Sequence, residues 1–322
     1  MNFKICYVLT STGSDNYLEE AYVSMYSAKQ HNPDAHIVLV TDDRTNETLR
    51  GLRKEETKYA NEVVIVPLNP KYNAKQRSRL LKTTLRETVN GDFLYIDTDT
   101  IVAQPLNGLD GIVKDDIACV YDLHSSRCRD SVAYKHSLRR CRRMGWALPP
   151  DTHYFNGGVM FARDTDTVHK FYKLWNENLL ACFGKGITED QPALYRTDCL
   201  MGQIIQPLDG VWNCQVRYGL QFFMNAKVIH YFGSHLAGGK PLFFLSNKNV
   251  TDTIKRTGVI GDDVKMVVDN PMAGLAQCVI VIAGEDVQFM RSRVYRFFRH
   301  RFHNPFYDIL RIIKGINKLR RR

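Results

Sequence analysis

The N-terminal third of the chain alternates short, β-branched apolar runs with segments of helical period. That alternation restricts the fold more than any other feature of the sequence. Residues 3–10 read as a strand, and residues 11–16 carry turn chemistry. Leu18, Ala21, Tyr22, Met25 and Ala28 then recur at helical spacing until Asn32-Pro33 stops them. Residues 36–40 read as a second strand ending at Thr41-Asp42-Asp43; a polar helix follows, and residues 63–68 read as a third strand. Residues 74–89 read as a helix, after which Asn90-Gly91 turns the chain into the run 93–102. The expectation is an α/β fold with a mainly parallel central sheet and flanking helices. Open sheets of this kind bind ligands beyond the carboxyl ends of their strands, where Thr10, Thr41 and Asp97 fall.

Phe93-Leu94-Tyr95-Ile96 leads into Asp97-Thr98-Asp99, and apolar residues resume at Ile101. Read as a single strand, the run puts Asp97 and Asp99 on one face, because successive side chains alternate. Two carboxylates aimed at one point suit a hard divalent cation such as Mg²⁺ or Mn²⁺, which takes oxygen ligands and shares them with phosphates. The functional reading is a metal that holds a phosphorylated ligand. The plainer one is a polar turn, where Asp and Thr are ordinary.

Further along, residues 117–121 read as a strand. Residues 125–150 are irregular and basic, with Arg127, Arg129, Lys135, Arg139, Arg140, Arg142 and Arg143 as either a solvated helical face or an acceptor-binding surface. Residues 154–162 read as a strand opened by Asn156-Gly157-Gly158, glycines that let backbone approach a ligand or that mark a hairpin. Val168, Phe171, Tyr172, Trp175 and Leu179 form one face of a helix whose aromatics belong to the core. Thr188 to Pro192 opens another helix, with Thr188 and Gln191 at capping-box spacing. Residues 228–233 read as a strand containing His230, a type of position more often structural than ligating.

Composition bounds the rest. The length suits one large domain, alone or with appendages. The net charge of +10 is concentrated in residues 291–322, which hold 11 basic residues and only Asp308 as an acid, leaving 33 basic and 33 acidic residues elsewhere. The basic character therefore belongs to a tail and not to a nucleic-acid-binding face. Eight cysteines without a Cys-x-x-Cys pair argue against a zinc cluster and fit reduced thiols in a cytosol. The N-terminus enters a strand without a basic-then-apolar signal segment, so a cytoplasmic location is expected. The longest apolar run, residues 271–283, is too short to span a bilayer.

Taken in order, these signals resemble the retaining glycosyltransferases of family 8, the glycogenin-like and lipooligosaccharide-galactosyltransferase group. The resemblance runs from about Phe3 to Leu242. It rests on Ser14-Asp15-Asn16-Tyr17, Arg79-Leu80-Leu81, Leu94-Tyr95-Ile96-Asp97-Thr98-Asp99, Tyr154-Phe155-Asn156-Gly157-Gly158-Val159, Asp190-Gln191, and His230-x-x-Gly233 followed by Lys240-Pro241. It implies a GT-A, Rossmann-like fold and a UDP-hexose donor bound with Mn²⁺ or Mg²⁺. It further implies that Asp97, Asp99 and His230 are the metal ligands, with Thr98 beside them. Gly233 and Lys240 would grip the diphosphate, and Thr10 and Tyr17 would hold the uracil. Arg79, Asn156 and Gly157 would surround the donor sugar, with Asp190 and Gln191 nearest the reacting centre. Three departures stand out: Ser234 to Gly239 lengthen the spacing before Lys240-Pro241, Leu242 stands where Trp is usual in the family, and the loop Ser11-Thr12-Gly13 after the first strand is longer.

Two other readings compete. Haloacid-dehalogenase-type phosphohydrolases also place an Asp-x-Asp after a strand, but that strand normally opens the domain, and no downstream Gly-Asp-x-x-x-Asp completes the pattern here. A non-catalytic nucleotide-sugar-binding protein is the second. The expected organisation is a transferase domain over 1–245, an extension over 246–290 and a basic amphipathic tail over 291–322. In that tail Ile309, Ile312, Ile313, Ile316 and Leu319 share a helical face, as an anchor on an anionic membrane surface would require. A glycan or lipid-linked glycan acceptor follows from that reading, with no role for nucleic acid.

Overall fold

In the computed structural model, residues 1–218, 220–231, 248–274 and 292–295 are described. The chain begins β1 (Lys4–Leu9), α1 (Tyr17–His31), β2 (Ile37–Asp42), α2 (Asp43–Thr48), α3 (Leu52–Glu55) and β3 (Glu62–Val66). It continues α4 (Ala74–Thr83), α5 (Leu85–Thr88), β4 (Phe93–Ile96), β5 (Thr100–Val102), α6 (Leu109–Ile112) and β6 (Ile117–Tyr121). Then come α7 (Tyr134–Arg143), β7 (Phe155–Ala162), α8 (Asp166–Gly184), α9 (Gln191–Leu200), β8 (Ile205–Leu208), β9 (Cys214–Gln215) and β10 (Val228–His230). Two helices, α10 (Lys248–Thr257) and α11 (Asp262–Asp269), complete the described elements of the unit Met1–Ala276. Residues 292–295 belong to a second unit, Gln277–Arg322.

The main sheet has the order β3-β2-β1-β4-β7-β6-β8. The pairs from β3 to β4, and β6 with β8, are parallel, whereas β7 runs antiparallel to both β4 and β6. This is the mixed, mostly parallel α/β architecture expected of a GT-A fold. Two cores sandwich the sheet by strict period-2 alternation. Ile5, Tyr7, Leu9, Leu94 and Ile96 face a core containing Leu18 and Met25 of α1. Cys6, Val8, Phe93 and Tyr95 face the opposite core with Leu81 of α4 and the buried Phe171, Tyr172 and Trp175 of α8. The chain leaves β1 for β2 on one side and later returns to β4 on the other. This reversal opens a crevice at the carboxyl ends of β1 and β4.

Three expectations are corrected by the backbone. The run 93–102 is two strands: β4 ends at Ile96, and β5 leaves the main sheet for a three-stranded one of order β5-β10-β9. Asp97 and Asp99 therefore lie in the turn between sheets, and the turn, not strand alternation, brings them together. The helix expected over 74–89 breaks at Thr84 (φ −105°, ψ 7°), where Thr83 and Thr84 both donate their hydroxyls to the Leu80 carbonyl. The Thr188–Gln191 capping box does not form. The helix begins at Gln191 without a side-chain cap, and the Gln191 amide is committed elsewhere.

The C-terminal helices pack on the body. Val250, Ile254, Val264, Val267 and Val268 join Tyr22 and Tyr26 of α1 and Ile101 and Ile229 of the small sheet in a third core. Among the described residues the seven cysteines are free thiols, all buried except the partly exposed Cys199. No described helix is long and apolar enough to cross a membrane.

Candidate active site

The register of the small sheet builds the site. β10 pairs antiparallel with β5, setting His230 opposite Thr100 and hence beside the Asp97–Asp99 turn. Asp97 N donates to Gly158 O at 2.7 Å, and Thr100 Oγ1 donates to Asp97 O at 2.9 Å, which fixes the turn from both sides. His230 Nε2 lies 3.2 Å from Asp99 Oδ1 and 3.9 Å from Asp97 Oδ2. One ligand atom from each of these three residues lies within 4.8 Å of the other two. The other ring nitrogen, Nδ1, is held 3.0 Å from Asn213 Oδ1, which directs Nε2 at the carboxylates. Two carboxylates and one imidazole on a common point form a donor set for a divalent cation, and the imidazole suits a transition ion better than Mg²⁺, which takes oxygen ligands.

Electrostatics agree with this convergence. Burial alone would lower the His230 pKa, yet the neighbouring Asp99 and Asp97 raise it overall. Burial alone would raise Asp99, and His230 brings it below its ordinary value. His230 is buried and Asp99 partly exposed, and each favours the charged form of the other.

A second charge cluster adjoins the first. Asp190, directly before α9, is 6% exposed. Its Oδ1 lies 3.2 Å from Arg79 Nε and its Oδ2 2.9 Å from Lys82 Nζ. Burial pushes Asp190 up, but these two cations hold it well below the usual carboxylate range. Lys82 Nζ also lies 3.7 Å from Asp97 Oδ1, which accepts a hydrogen bond from the Tyr95 hydroxyl.

A polar chain joins the two clusters. Gln191 Nε2 and Asn156 Nδ2 both donate to Asp122 Oδ1, at 2.8 and 3.0 Å. Asn156 Oδ1 accepts from Asn213 Nδ2 at 3.0 Å and from Gly158 N at 2.9 Å. Burial raises the Asp122 pKa, and these donors oppose the shift. Gly158 has a packing reason as well: a Cβ there would stand 2.5 Å from His230 Cε1 and 2.6 Å from Asp97 Oδ2.

All of the sequence-derived candidates among the described residues line one cavity of about 600 Å³: Thr10, Tyr17, Arg79, Asp97, Thr98, Asp99, Asn156, Gly157, Asp190, Gln191 and His230. Thr10 keeps a buried hydroxyl without a hydrogen-bond partner among the described residues. Gly233 and Lys240 lie outside the described residues, as does nearly all of the tail. Thr41 is not part of the cavity; its hydroxyl donates to the Leu9 carbonyl. Within the basic segment, Lys135, Arg139, Arg140, Arg142 and Arg143 lie on α7, while Arg127 and Arg129 precede it and pair with Asp130 and Asp151; Arg140 pairs with Glu189 at 2.7 Å, and Lys75 of the cavity lining pairs with the same carboxylate at 3.2 Å.

Sequence reading missed Lys82, Asp122 and Asn213. Lys82 carried no usable signal, being one of four basic residues in α4. Asp122 stands just past the carboxyl end of β6, on the same sheet edge as Asp97. Asn213 carried no signal, because only the tertiary fold sets it beside His230.

The sequence matches the family described as Glycosyl transferase family 8 over residues 8–236. No curated protein matches the chain. Among solved structures, it is similar to the WbbM bifunctional glycosyltransferase (16% identity, 72% of this chain and 46% of that one, TM-score 0.49). It is also similar to mouse xyloside xylosyltransferase 1 (12%, 71% and 97%, 0.47) and to the galactosyltransferase LgtC bound to donor and acceptor sugar analogues (16%, 72% and 87%, 0.46). The chain thus spans less than half the length of WbbM.

Proposed function

This chain belongs to glycosyl transferase family 8 and is a glycosyltransferase; from that premise we propose a retaining, metal-dependent hexosyltransferase that takes its sugar from a UDP-hexose. The observation that carries the reading is the convergence of Asp97, Asp99 and His230 beside Asp190 and Gln191 in one cavity at the strand ends. The acceptor is a glycan or a lipid-linked glycan.

Asp97, Asp99 and His230 would hold the divalent cation. When bound, it neutralises charge that builds on the leaving diphosphate. Thr10 and Tyr17, which also line the cavity, bind the base. Asn156 and Arg79 orient the sugar. Asp190 has a cation on each oxygen and is held as a weakly basic anion. Such a carboxylate suits electrostatic stabilisation of positive character at the anomeric carbon better than nucleophilic attack. Gln191 is oriented by Asp122 toward the same centre.

Calorimetry tests the donor and metal together: UDP should bind in the presence of Mn²⁺, and equal affinity with chelator would sink the metal-bridged reading. Asp99→Ala and His230→Ala should each abolish metal-dependent hydrolysis across a panel of UDP-glucose, UDP-galactose and N-acetyl sugars. We read residues 291–322 as a basic amphipathic anchor that keeps the enzyme at a cytoplasmic membrane surface, a reading supported by sequence pattern alone. If the full chain stays in the supernatant with anionic liposomes at low salt, that reading falls.

A further inference from the structure

We propose that Lys82 is a positioning residue for the transfer reaction: its ammonium ties the carboxylate beside the donor sugar to a carboxylate of the metal centre and decides which oxygen each presents. This rests on the reading above, in which Asp97 holds a metal and Asp190 faces the sugar.

Lys82 is 3% exposed, and buried lysines persist only where they are paired. Its partners come from two distant elements, so this is no local helical ion pair: Nζ is 2.9 Å from Asp190 Oδ2 and 3.7 Å from Asp97 Oδ1. It also stands 4.8 Å over the Tyr95 ring. Arg79 lies one turn earlier on the same face of α4 and takes the other oxygen of Asp190. With a cation on each oxygen, the Asp190 carboxylate cannot rotate freely.

At Asp97 the same ammonium has a second effect. The Tyr95 hydroxyl and Lys82 both address Oδ1, while Oδ2 faces His230. Lys82 thereby reserves one oxygen and leaves the other for the cation. A fixed positive charge this close also weakens the pull of the site on a divalent ion. Removing it should therefore tighten metal binding and slow the chemistry at once. A lysine that only filled space would do neither when replaced by methionine of similar length.

The experiment uses the full chain, wild type, Lys82→Met and Lys82→Arg, with Mn²⁺ titrated calorimetrically in the absence of nucleotide. Kinetics follow metal-dependent hydrolysis of whichever of UDP-glucose or UDP-galactose the wild type cleaves faster. Lys82→Met should bind Mn²⁺ roughly tenfold more tightly, given the strength of charge interactions at short range in a partly buried site. Its kcat should fall about a hundredfold with KM little changed, the pattern of an interaction made in the transition state. Lys82→Arg keeps the charge but not its placement, so Mn²⁺ affinity should stay near wild type while kcat is only partly restored. If Lys82→Met does not fold, Lys82→Arg decides: unchanged kcat overturns the proposal, and reduced kcat with unchanged KM and Mn²⁺ affinity supports it. Wild-type affinity or weaker binding in a folded Lys82→Met overturns this proposal alone. Absence of Mn²⁺ binding by the wild type overturns the metal reading as well.

Discussion

Gly158→Ala puts a methyl group where the site has no room for one. The added carbon would stand 2.5 Å from His230 Cε1, 2.6 Å from Asp97 Oδ2 and 2.9 Å from Asn156 Oδ1. Ordinary carbon contacts are about 3.5 Å or longer, so His230 and Asp97 must each retreat by about 1 Å. The backbone does not confuse the comparison, since Gly158 is not among the residues of positive φ. Overpacking of this kind costs about 1–3 kcal/mol of stability. The larger effect falls on the metal centre, because the methyl wedges between two of its three ligands. Disturbing ligand orientation typically weakens metal affinity by about 10–100-fold. Gly157→Ala is the control: its Cβ would meet Lys82 Nζ at 3.3 Å and Leu194 Cδ2 at 3.4 Å, contacts relieved by a few tenths of an ångström that leave the Lys82 ion pairs in place and touch none of the three ligands. Mn²⁺ calorimetry and thermal melts on both variants make the test. The expected result is wild-type-like metal affinity for Gly157→Ala and a loss of at least tenfold for Gly158→Ala. A Gly158→Ala protein that binds Mn²⁺ as tightly as wild type would refute the placement of His230 and Asp97 against this strand.

Three further outcomes are expected. Asn213→Ala removes the oxygen that faces His230 Nδ1 and should weaken Mn²⁺ binding by about tenfold or more, measured by calorimetry; an unchanged affinity would remove Asn213 from the site. Burial raises Glu56 to about 7, with Glu19 adding to the shift, and neither oxygen of Glu56 has a hydrogen-bond partner among the described residues. The folded state therefore holds this proton more tightly than the unfolded chain, so the stability it contributes is complete at low pH and is lost as pH rises toward 7. Glu56→Gln should be more stable than wild type at pH 8 by on the order of 2 kcal/mol and not at pH 4, and a pH-independent difference in urea midpoints would contradict this. Arg77 is the buried partner of Asp42, which also caps α2 by accepting from Thr45 N at 2.7 Å. Arg77→Met leaves that carboxylate unpaired and should cost about 3–5 kcal/mol in urea denaturation; a loss within error would mean the pair carries no net stabilisation.

Much of this protein is written locally. Alternation along residues 4–9 and 37–42 specifies strands with two buried faces, whatever they pack against, because successive side chains must point opposite ways. The helical spacing of Phe171, Tyr172 and Trp175 likewise specifies a buried stripe before any partner is known. The ordered residues from Tyr17 to His230 were legible as a site through the family resemblance that their order carries, even though Arg79 lies inside α4 and Asn156 and Gly157 lie inside β7. What the chain could not disclose by itself is where β4 stops. Nothing local distinguishes one ten-residue strand from two short ones that part at Asp97–Asp99. The pairing of β5 with β10, contributed by residues far along the chain, makes that choice. The same pairing carries His230 to Asp99, the pairing of β10 with β9 carries Asn213 toward His230, and the packing of α4 against α8 carries Lys82 toward Asp190. Periodicity reports only which face of an element is apolar. A charge that is neutralised by a residue a hundred positions away leaves no local trace, so the metal centre was visible in outline and its supporting cations and amides were decided by the fold.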